Sequence, residues 1–431
     1  MDLQIPTIEL RPYQLNAWKA FSQGKRRIAM VWPRRAGKDT LSLQMMCAGA
    51  LERVANYIHM MPYAVTVRKA MWRGINRDGL RFIDVAFPKE LRRKTYSSEM
   101  LIELRNGSTI QFGGSDNADS LVGGNPAGIV MSELAISNPM AVNLVRPILA
   151  ENGGWFIAPY TPRGKTFGYE FFLNCQNDPN SFAELLTCDN TGHMSDEALA
   201  IERKELDAEL FEQEYYCSWN YGAQGAVYAR QLSRAWDENR ITAVPHDSAR
   251  PTWAAFDIGF SDATAIWLFQ VGPGGQPRIL EYYETRGEHP EHFDGWLRAH
   301  KYPIRTLFLP HDADQKRIGQ KRTVIEQFRD LGHDVRMLPQ ASVAAGIALG
   351  RNMVHKAVFD QDKTELGRSM LGAYKYEKNE KTNTWTSQPV HDYSSHGSDS
   401  WRYMAEAIDR GYCSVENWGP VDWSELDRAV I

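Results

Sequence analysis

Residues Ile28 to Thr40, with the sequence IAMVWPRRAGKDT, decide how the rest of the chain is interpreted. The apolar run from Ile28 to Trp32 enters a Pro-Arg-Gly turn, which predicts a buried parallel strand that opens onto the start of a helix. The first turn of a helix offers unpaired N–H groups and a positive dipole, and both suit phosphate oxygens. Lys38 adds a positive charge for the outer phosphates. The stretch therefore predicts a phosphate-binding loop; an ordinary strand-to-loop junction is the alternative.

The loop departs from the usual phosphate-binding sequence at two positions. Trp32 stands where the motif has its first Gly, and Asp39 stands where it has Ser or Thr. Because a Gly-Lys pair is common by chance, the other segments of the chain decide between the two interpretations.

Composition and charge limit the class of protein. The chain has 431 residues, enough for two or three domains, and its 43% hydrophobic and 24% charged residues are typical of a globular protein. A net charge of −4 argues against a general electrostatic attraction to nucleic acid, so contact with DNA depends on local basic clusters. The five scattered cysteines fit a reducing cytoplasm, and no apolar run is long enough to span a membrane.

Two segments near the loop are candidate ligand contacts. Upstream, Gln14 in the sequence LRPYQ can present its amide to the edge of an adenine ring while Tyr13 stacks on the ring; a capped surface helix is the alternative. Downstream, a strand over 57–61 precedes a predicted basic helix and a second basic cluster, each of which is either a DNA contact or a solvated face. Their residues are Arg68, Lys69, Arg73 and Arg77, then Arg92, Arg93 and Lys94.

Two further apolar strands end in polar residues. The strand over 128–131 leads to Ser132 and Glu133, and in nucleotide hydrolases such a strand lies beside the phosphate loop with its terminal acid polarising the attacking water. The strand over 155–158 leads to a turn in which Thr161 and Arg163 could sense the γ-phosphate; a simple polar turn is the alternative. Strands that alternate with helices and end in polar loops predict a doubly wound α/β sheet with its ligand at the carboxyl ends.

The segments between these motifs are predicted to be structural. Asn106-Gly107 marks a hairpin between 99–104 and 109–112, and the Gly-rich stretch 113–124 predicts a tight, mobile loop. A charged helix with an apolar stripe is expected over 195–216, and the polar stretch 220–251 is expected to bridge to a second domain.

The second domain is predicted to hold three aspartates together. A three-stranded meander (253–257, 263–270 and 279–283) precedes a helix, a strand over 306–309 and a final helix from 396. Asp257 ends the first strand, Asp312 follows the fourth and Asp399 lies on the final helix, so they would converge in a ribonuclease-H-like layout. Two carboxylates about 4 Å apart repel by ~4 kcal/mol at an effective dielectric of about 20, so three together bind cations or take up a proton. Hard oxygen ligands suit Mg²⁺ or Mn²⁺, and two such ions can clamp the attacking and leaving oxygens of a phosphodiester.

Neighbouring charges extend this prediction. Asp262 is a candidate fourth ligand, for which a turn role is the alternative. The basic run after Asp312 would supply counter-charges for a substrate backbone, unless it is an ordinary solvated helix start; it comprises Lys316, Arg317, Lys321 and Arg322.

The order of these motifs resembles the large terminase subunit of tailed bacteriophages, over essentially the whole chain. The similar segments are LRPYQ (10–14), PRRAGKD (33–39), GIVMSE (128–133), AFDIGFSDATA (255–265), LPHDA (309–313) and SHGSDSWRYM (395–404). The resemblance implies a P-loop (ASCE-type) doubly wound ATPase domain over 1–221, with a helical linker over about 170–221, and a ribonuclease-H-like nuclease domain over 222–431. It also implies ATP-driven translocation of double-stranded DNA into the procapsid and metal-dependent cutting of concatemeric DNA.

The resemblance assigns roles to individual residues. Lys38 would bind the β- and γ-phosphates, Glu133 would be the catalytic carboxylate, and Arg34 or Arg35 would stabilise transition-state charge. The other implied ATP contacts are Gln14, Gly37, Thr40 and Thr161. Thr161 would lie in the motif that couples hydrolysis to movement. In the second domain, Asp257, Asp312 and Asp399 would hold two divalent cations, Mg²⁺ or Mn²⁺.

The two departures from the family pattern suggest an exchange at the ATP-bound Mg²⁺. The usual loop hydroxyl is replaced by Asp39, and the usual Asp before the catalytic Glu is replaced by Ser132. We expect Asp39 to supply the charge and Ser132 a hydroxyl or water contact, with Thr40 in reserve. A degenerate, weakly hydrolysing site is the alternative.

The partners implied by the resemblance are double-stranded DNA, the small terminase subunit and the portal protein of the procapsid. The chain would form a homo-oligomeric ring on the portal, in the host cytoplasm and away from any membrane. One rival is a superfamily-2-type helicase or translocase, which would need a second helicase-like core after residue 220, where the acidic trio stands instead. The other rival is a non-catalytic packaging scaffold.

Overall fold

The computed structural model describes residues 10–118, 123–220, 222, 224–259, 262–300, 302–314, 322–379 and 384–413. The chain divides into two compact units, Met1–Ala223 and Gln224–Ile431. Each unit is built on one large sheet of parallel and antiparallel strands with helices on its faces, which confirms the predicted α/β class. Within the described ranges, no helix has the length and apolar character needed to cross a membrane.

The first unit contains an eight-stranded sheet in the order β3-β4-β5-β2-β6-β7-β1-β8. Six of its strands, from β5 to β8 in that order, run parallel, and the β3–β4 hairpin adds antiparallel pairing at one edge. The strands are β1 Arg27–Val31, β2 Asn56–Met61, β3 Arg92–Tyr96, β4 Leu101–Leu104, β5 Thr109–Gly114, β6 Gly128–Met131, β7 Trp155–Tyr160 and β8 Ser181–Leu185.

Strand β1 is buried on both faces, as its continuous apolar sequence predicts. Ile28 and Met30 belong to one hydrophobic cluster, whereas Ala29 and Val31 belong to the cluster on the opposite face. Strand β7 lies between β1 and β6, so the strand that leads to Glu133 is one strand away from the loop strand and not directly beside it, contrary to the prediction.

The helices of the first unit differ from the sequence predictions at two places. The basic helix after Pro62 runs from Ala64 and continues as a π-helical turn that ends at Trp72, so Arg73 and Arg77 lie beyond it. The expected single helix over 195–216 is two helices, because the Asp207 side chain caps a new start by accepting from the N–H groups of Glu209 and Leu210. The helices are α1 Leu15–Ser22, α2 Lys38–Glu52, α3 Ala64–Val67 with the π turn Arg68–Trp72, α4 Phe82–Ala86, α5 Pro139–Asn152, α6 Phe167–Asn177, α7 Cys188–Thr191, α8 Asp196–Glu205 and α9 Ala208–Tyr216.

The Gly-rich stretch is a strand at its start instead of a loop. Gly113 and Gly114 continue β5 and pair with Met60 and Met61 of β2. A Cβ on Gly114 would lie 2.4 Å from the backbone N of Ala64, so the absent side chain allows this close approach. Residues 119–122 of the same stretch lie outside the described residues.

The second unit contains a seven-stranded sheet in the order β14-β13-β10-β11-β12-β15-β9 and a separate two-stranded hairpin. Strands β10, β11 and β12 form the predicted antiparallel meander, and β13 pairs parallel with β10, which gives the predicted ribonuclease-H-like layout. The strands are β9 Ile241–Thr242, β10 Thr252–Asp257, β11 Ala263–Val271, β12 Pro277–Arg286, β13 Ile304–Leu309, β14 Val335–Met337, β15 Val358–Asp360, β16 Tyr376–Asn379 and β17 Thr384–Pro389.

The polar stretch 220–251 is not only a bridge. It contributes a helix, 229–237, and the edge strand β9 to the second unit, because its apolar residues, such as the fully buried Leu232 and Ala235, pack inward. The helices of this unit are α10 Ala229–Asp237, α11 Pro290–Arg298, α12 Val324–Asp330, α13 Val343–Val354, α14 Glu365–Ala373 and α15 Ser395–Asp409.

Helix α15 is anchored on the sheet by polar contacts. Ser400 Oγ donates to the carbonyl of Ala255 in β10 at 2.8 Å, and Trp267 Nε1 in β11 donates to the carbonyl of Gly397 at 2.9 Å. These contacts hold the first turns of α15 against β10, which ends at Asp257, and against its neighbour β11.

Candidate functional sites

The phosphate loop joins β1 to α2. Gly37 adopts a left-handed backbone conformation with φ of +79°, which favours glycine, and α2 starts at the next residue, Lys38. The Lys38 ammonium is buried and donates to Thr161 Oγ1 at 3.1 Å, while Thr161 Oγ1 donates to the carbonyl of Trp32 at 3.2 Å. The structure therefore brings together the predicted loop lysine and the predicted coupling threonine, which extend from the neighbouring strands β1 and β7.

The LRPYQ segment is tied to the backbone of this loop. Tyr13 Oη donates to the carbonyl of Ala36 at 2.9 Å, and Gln14 Nε2 lies 3.4 Å from the carbonyls of both Ala36 and Gly37. The other amide atom of Gln14, Oε1, accepts from the Arg11 N–H at 3.0 Å. The amide that is predicted to read an adenine edge thus contacts the loop itself, and its adenine role remains a prediction.

Asp39 and Ser132 are hydrogen-bonded to each other. Ser132 Oγ, which is fully buried, donates to Asp39 Oδ1. The two residues that depart from the family pattern are therefore adjacent in space, as the exchange hypothesis requires. The neighbouring Thr40 is half-buried on the same helical turn.

Glu133 has an unusual backbone and an unpaired carboxylate oxygen. Its φ of +57° places a non-glycine residue in the left-handed region, a conformation that costs about 1 kcal/mol or more and is concentrated at functional sites. Its N–H donates to the carbonyl of Pro159 in β7 at 2.8 Å, which fixes the bend. Its Oε2 is buried and has no hydrogen-bond partner among the described residues, so this acceptor is available to a water or a substrate.

Two arginines at this edge share one glutamate that the sequence did not identify. Arg34 donates from Nε and Nη2 to the two carboxylate oxygens of Glu214 at 2.8 and 3.0 Å, and Arg163 Nη2 lies 3.0 Å from Glu214 Oε1. Arg163 also donates to Gln213 Oε1 at 3.0 Å. Burial alone would raise the pKa of Glu214, but the hydrogen bond from Arg34 and the charge of Arg163 outweigh it and hold that pKa below its usual value.

Backbone contacts add to this connection. The Arg34 N–H donates to the carbonyl of Glu214 at 3.0 Å, and His193 Nε2 lies 2.9 Å from the carbonyl of Arg34. Helix α9 and the segment before α8 are therefore fastened to the phosphate loop. Arg35, by contrast, is exposed and has no hydrogen-bond or ion-pair partner within the described ranges.

The second candidate site lies where β10 ends and α15 begins. Asp257 Oδ2 lies 3.0 Å from His396 Nδ1. Burial raises the pKa of Asp257 to about 6; the hydrogen bond from His396 opposes this, and the negative charges of Asp399 and Asp312 add to it. Asp399 and Asp312 therefore both act on Asp257, and His396 is a further member of the site that the sequence-based prediction did not include.

Asp399 is held in one orientation. Arg402 donates from Nε and Nη2 to Asp399 Oδ1 at 3.1 and 2.6 Å, and Tyr374 Oη lies 3.5 Å from the same oxygen. The Arg402 side chain is only 7% exposed. Among the described residues every donor to Asp399 reaches Oδ1, which leaves Oδ2 for another ligand.

The three carboxylates have the oxygen chemistry that Mg²⁺ and Mn²⁺ prefer. In the described part of the chain, however, no group of three His, Cys, Asp or Glu side chains is close enough to hold an ion without side-chain movement. Asp312 is exposed just after β13. Burial lowers the pKa of His396, but the hydrogen bond and charge of Asp257, followed by the charges of Glu284 and Asp262, raise it above its usual value. Of the predicted basic run, Arg322 pairs with Asp330, and residues 316, 317 and 321 lie outside the described residues.

Comparisons with known proteins identify similar chains. No protein-family model matches the sequence. The terminase large subunit of Escherichia phage T5 is 26% identical over 336 residues, which cover 72% of each chain. Among solved structures, the large terminase of a thermophilic bacteriophage in complex with ADP aligns over 93% of this chain and 99% of its own, with 16% identity and a TM-score of 0.42. The HK97 bacteriophage large terminase aligns over 94% and 95%, with 9% identity and a TM-score of 0.44.

The sequence similarity to the T5 protein agrees with the order of motifs along the chain. The chain is therefore similar, along most of its length, to a phage terminase large subunit.

Proposed function

We propose that the first unit hydrolyses ATP to move double-stranded DNA into a procapsid and that the second unit cuts concatemeric DNA with divalent cations. The observation that carries the proposal for the first unit is the convergence of Lys38, Thr161, Glu133 and Arg34 at the carboxyl ends of the parallel strands of its sheet. Ligands bind at this edge of open α/β sheets, and phosphates bind at the N-terminus of the helix that follows the loop.

In the motor unit, each residue has a defined task toward ATP. Lys38 would donate to the outer phosphates instead of to Thr161. Thr161 Oγ1 would then lose this donor, so its position would depend on whether phosphate is bound. The unpaired Oε2 of Glu133 orients the attacking water and accepts its proton. Asp39 and Ser132, which are hydrogen-bonded to each other, would hold the Mg²⁺ that accompanies the nucleotide, and the loop instead of the strand end would supply the carboxylate.

Glu214 links the nucleotide to the helical segment 188–217. Arg34 is 57% exposed, so its guanidinium can turn from Glu214 to a γ-phosphate, and Arg163 lies on the same carboxylate. When the phosphates take these cations, α9 loses its ionic connection to the loop; when phosphate leaves, the connection forms again. This exchange would convert loss of phosphate into movement of the helical segment.

In the nuclease unit, Asp257, Asp312 and Asp399 would hold the divalent cations. When bound, such ions lower the pKa of a water to make a nucleophile and neutralise the leaving oxygen. Arg402 keeps Asp399 Oδ1 occupied and Oδ2 available, and His396 holds Asp257 at the end of β10. The proposal requires Asp312 to move toward the other two carboxylates.

The protein would act in the cytoplasm of the host. The partners we propose are the small terminase subunit and the portal of the procapsid, on which copies of this chain assemble as a ring. A net charge of −4 makes single contacts with DNA weak, and a ring provides several at once.

The test is to measure ATP hydrolysis and Mn²⁺-dependent plasmid cleavage for the full chain, Lys38→Ala and Asp257→Asn. We expect Lys38→Ala to lose hydrolysis and keep cleavage, and Asp257→Asn to show the reverse. Each variant should leave the activity of the other unit intact, because the two residues lie in different units. A wild-type chain that neither hydrolyses ATP nor cuts DNA would support the scaffold alternative.

A further inference from the structure

A compact hairpin follows the π turn that continues α3. A Cβ on Gly74 would lie 1.9 Å from the carbonyl oxygen of Ala70, so only glycine lets the chain turn this closely against the helix. Ile75 then pairs antiparallel with Arg81. We call residues 74–81 the basic hairpin.

Hydrogen bonds within the basic hairpin hold its shape. The Asn76 N–H donates to the carbonyl of Leu80 at 2.8 Å, and the Asn76 side-chain oxygen accepts from the N–H groups of Asp78 and Leu80, both at 2.9 Å. The Phe82 N–H donates to the carbonyl of Gly74 at 3.1 Å. The backbone of the hairpin is therefore fixed, and its exposed side chains project from defined positions.

The cations in and before the basic hairpin fall into two groups. Arg68 and Arg81 have structural partners: Arg68 donates to the carbonyls of Ser97 and Ser98, and Arg81 to that of Trp72. The other three are exposed and have no hydrogen-bond or ion-pair partner within the described ranges; they are Lys69, Arg73 and Arg77. The only carboxylate between 68 and 81 is Asp78, which accepts from Asn76 Nδ2 at 3.3 Å.

Two large apolar side chains stand among these free cations. Ile75 is 62% exposed and Leu80 is 55% exposed, whereas most residues of their type are buried in this chain. Ile75 is paired with Arg81 and Leu80 is the residue before Arg81, and Arg73 and Arg77 are each two residues from Ile75 in the chain. Exposed apolar residues flanked by cations match a DNA backbone, where phosphates alternate with apolar sugar edges.

We propose that the basic hairpin, with Lys69 and Arg73 before it, binds the sugar-phosphate backbone of double-stranded DNA. The net charge of −4 means that the surface as a whole does not attract DNA, so a local group of unpaired cations has to do so. Helix α3, which carries this element, starts directly after β2, and β2 pairs with β6, the strand that leads to Ser132 and Glu133. In the chain, α3 and its π turn therefore join the basic hairpin to β2, which is the direct neighbour of the strand that leads to Glu133. The proposal rests on the proposed function, of which it specifies the DNA contact.

The test measures binding of a labelled DNA duplex to the full chain by fluorescence anisotropy over a range of salt concentrations. Each phosphate contact contributes about 0.9 to the slope of log K against log salt, so Arg73→Ala/Arg77→Ala is expected to reduce the slope by about 1.8 and the affinity at low salt by roughly 10-fold or more. Basal ATP hydrolysis is expected to stay unchanged, and its stimulation by DNA to fall. The matched control is Lys19→Ala/Lys204→Ala, which removes two exposed cations of the same unit and is expected to leave the slope unchanged.

Three outcomes would overturn the proposal. If the arginine variant keeps the wild-type slope but changes the sedimentation coefficient, the basic hairpin is a contact between copies of the chain. If the control lowers the slope as much as the arginine variant does, binding is spread over the surface. A wild-type chain that does not bind duplex DNA at all would overturn the proposed function as well, and this result is distinct from the other two.

Discussion

Exchanging Asp39 and Ser132 should restore an ATPase that either single change damages. In the present chain, the Ser132 hydroxyl donates to the Asp39 carboxylate from a fully buried position. Asp39→Ser leaves two hydroxyls and no charge for Mg²⁺. Ser132→Asp leaves two adjacent carboxylates, which repel by ~4 kcal/mol at about 4 Å and an effective dielectric of about 20. The double variant again has one acid and one hydroxyl, in exchanged positions.

The size of the effect follows from the hydrogen bond. A hydrogen bond to a charged group contributes about 1.5–3 kcal/mol, and each 1.36 kcal/mol is about tenfold in rate. Asp39→Ser should therefore lose about 10- to 150-fold in Mg²⁺-dependent turnover, and Ser132→Asp, through the carboxylate repulsion, up to about 1000-fold. The double variant should recover to within about 3-fold of wild type.

The assay is steady-state phosphate release at saturating ATP over a range of Mg²⁺ concentrations. Ser42→Ala is the control, because Ser42 also has a buried hydroxyl on α2 but donates to the carbonyl of Lys38; it should keep turnover near wild type. A double variant as slow as the product of the two single losses would refute the exchange. Full Mg²⁺-dependent turnover in Asp39→Ala would refute it equally.

Three further predictions concern other parts of the chain. Burial lowers the pKa of His59 to about 4, below the ~6.5 of an unfolded histidine, so the unfolded state binds the proton first as the pH falls. The first unit should therefore lose about 2 kcal/mol of stability between about pH 8 and pH 5. Denaturant unfolding should show a smaller loss in His59→Leu, and an unchanged loss would contradict this prediction. Glu214→Gln should tighten binding of an ATP analogue in calorimetry, because Arg34 no longer has a charged competitor for phosphate; weaker binding would count against the proposed exchange of partners. Arg402→Met should lower plasmid cleavage by about 10- to 100-fold without affecting ATP hydrolysis, because Asp399 loses the group that orients it; unchanged cleavage would show that this orientation is unimportant.

The elements that the sequence predicts well are those whose pattern is local. Strands β1, β6 and β7 are continuous apolar runs because both faces of a parallel sheet are buried, and each ends at a polar group. The meander of the second unit is equally visible, because its strands are apolar and separated by turn residues. These elements carry Lys38, Glu133, Thr161 and Asp257 to the ends of strands, so most candidate site residues follow from them.

The contacts that the sequence does not predict join distant segments. Glu214 lies on a helix whose charges resemble those of any solvated helix, and its partner Arg34 is 180 residues away in the chain. The order of the strands in the sheet cannot be predicted for the same reason. No local pattern indicates that β7 lies between β1 and β6, because strand order depends on how the connecting helices cross the faces of the sheet. His396 had a local signal, since it lies one helical turn before Asp399 on α15 and therefore on the same face.

The claim on which the nuclease assignment depends is that Asp257, Asp312 and Asp399 bind divalent cations together. The most direct measurement is the anomalous X-ray signal of Mn²⁺ soaked into crystals of the full chain. We predict Mn²⁺ between Asp257 and Asp399, with Asp312 moved to within ligand distance of about 2.0–2.3 Å. Mn²⁺ bound elsewhere, or three aspartates that stay apart at saturating Mn²⁺, would contradict the assignment.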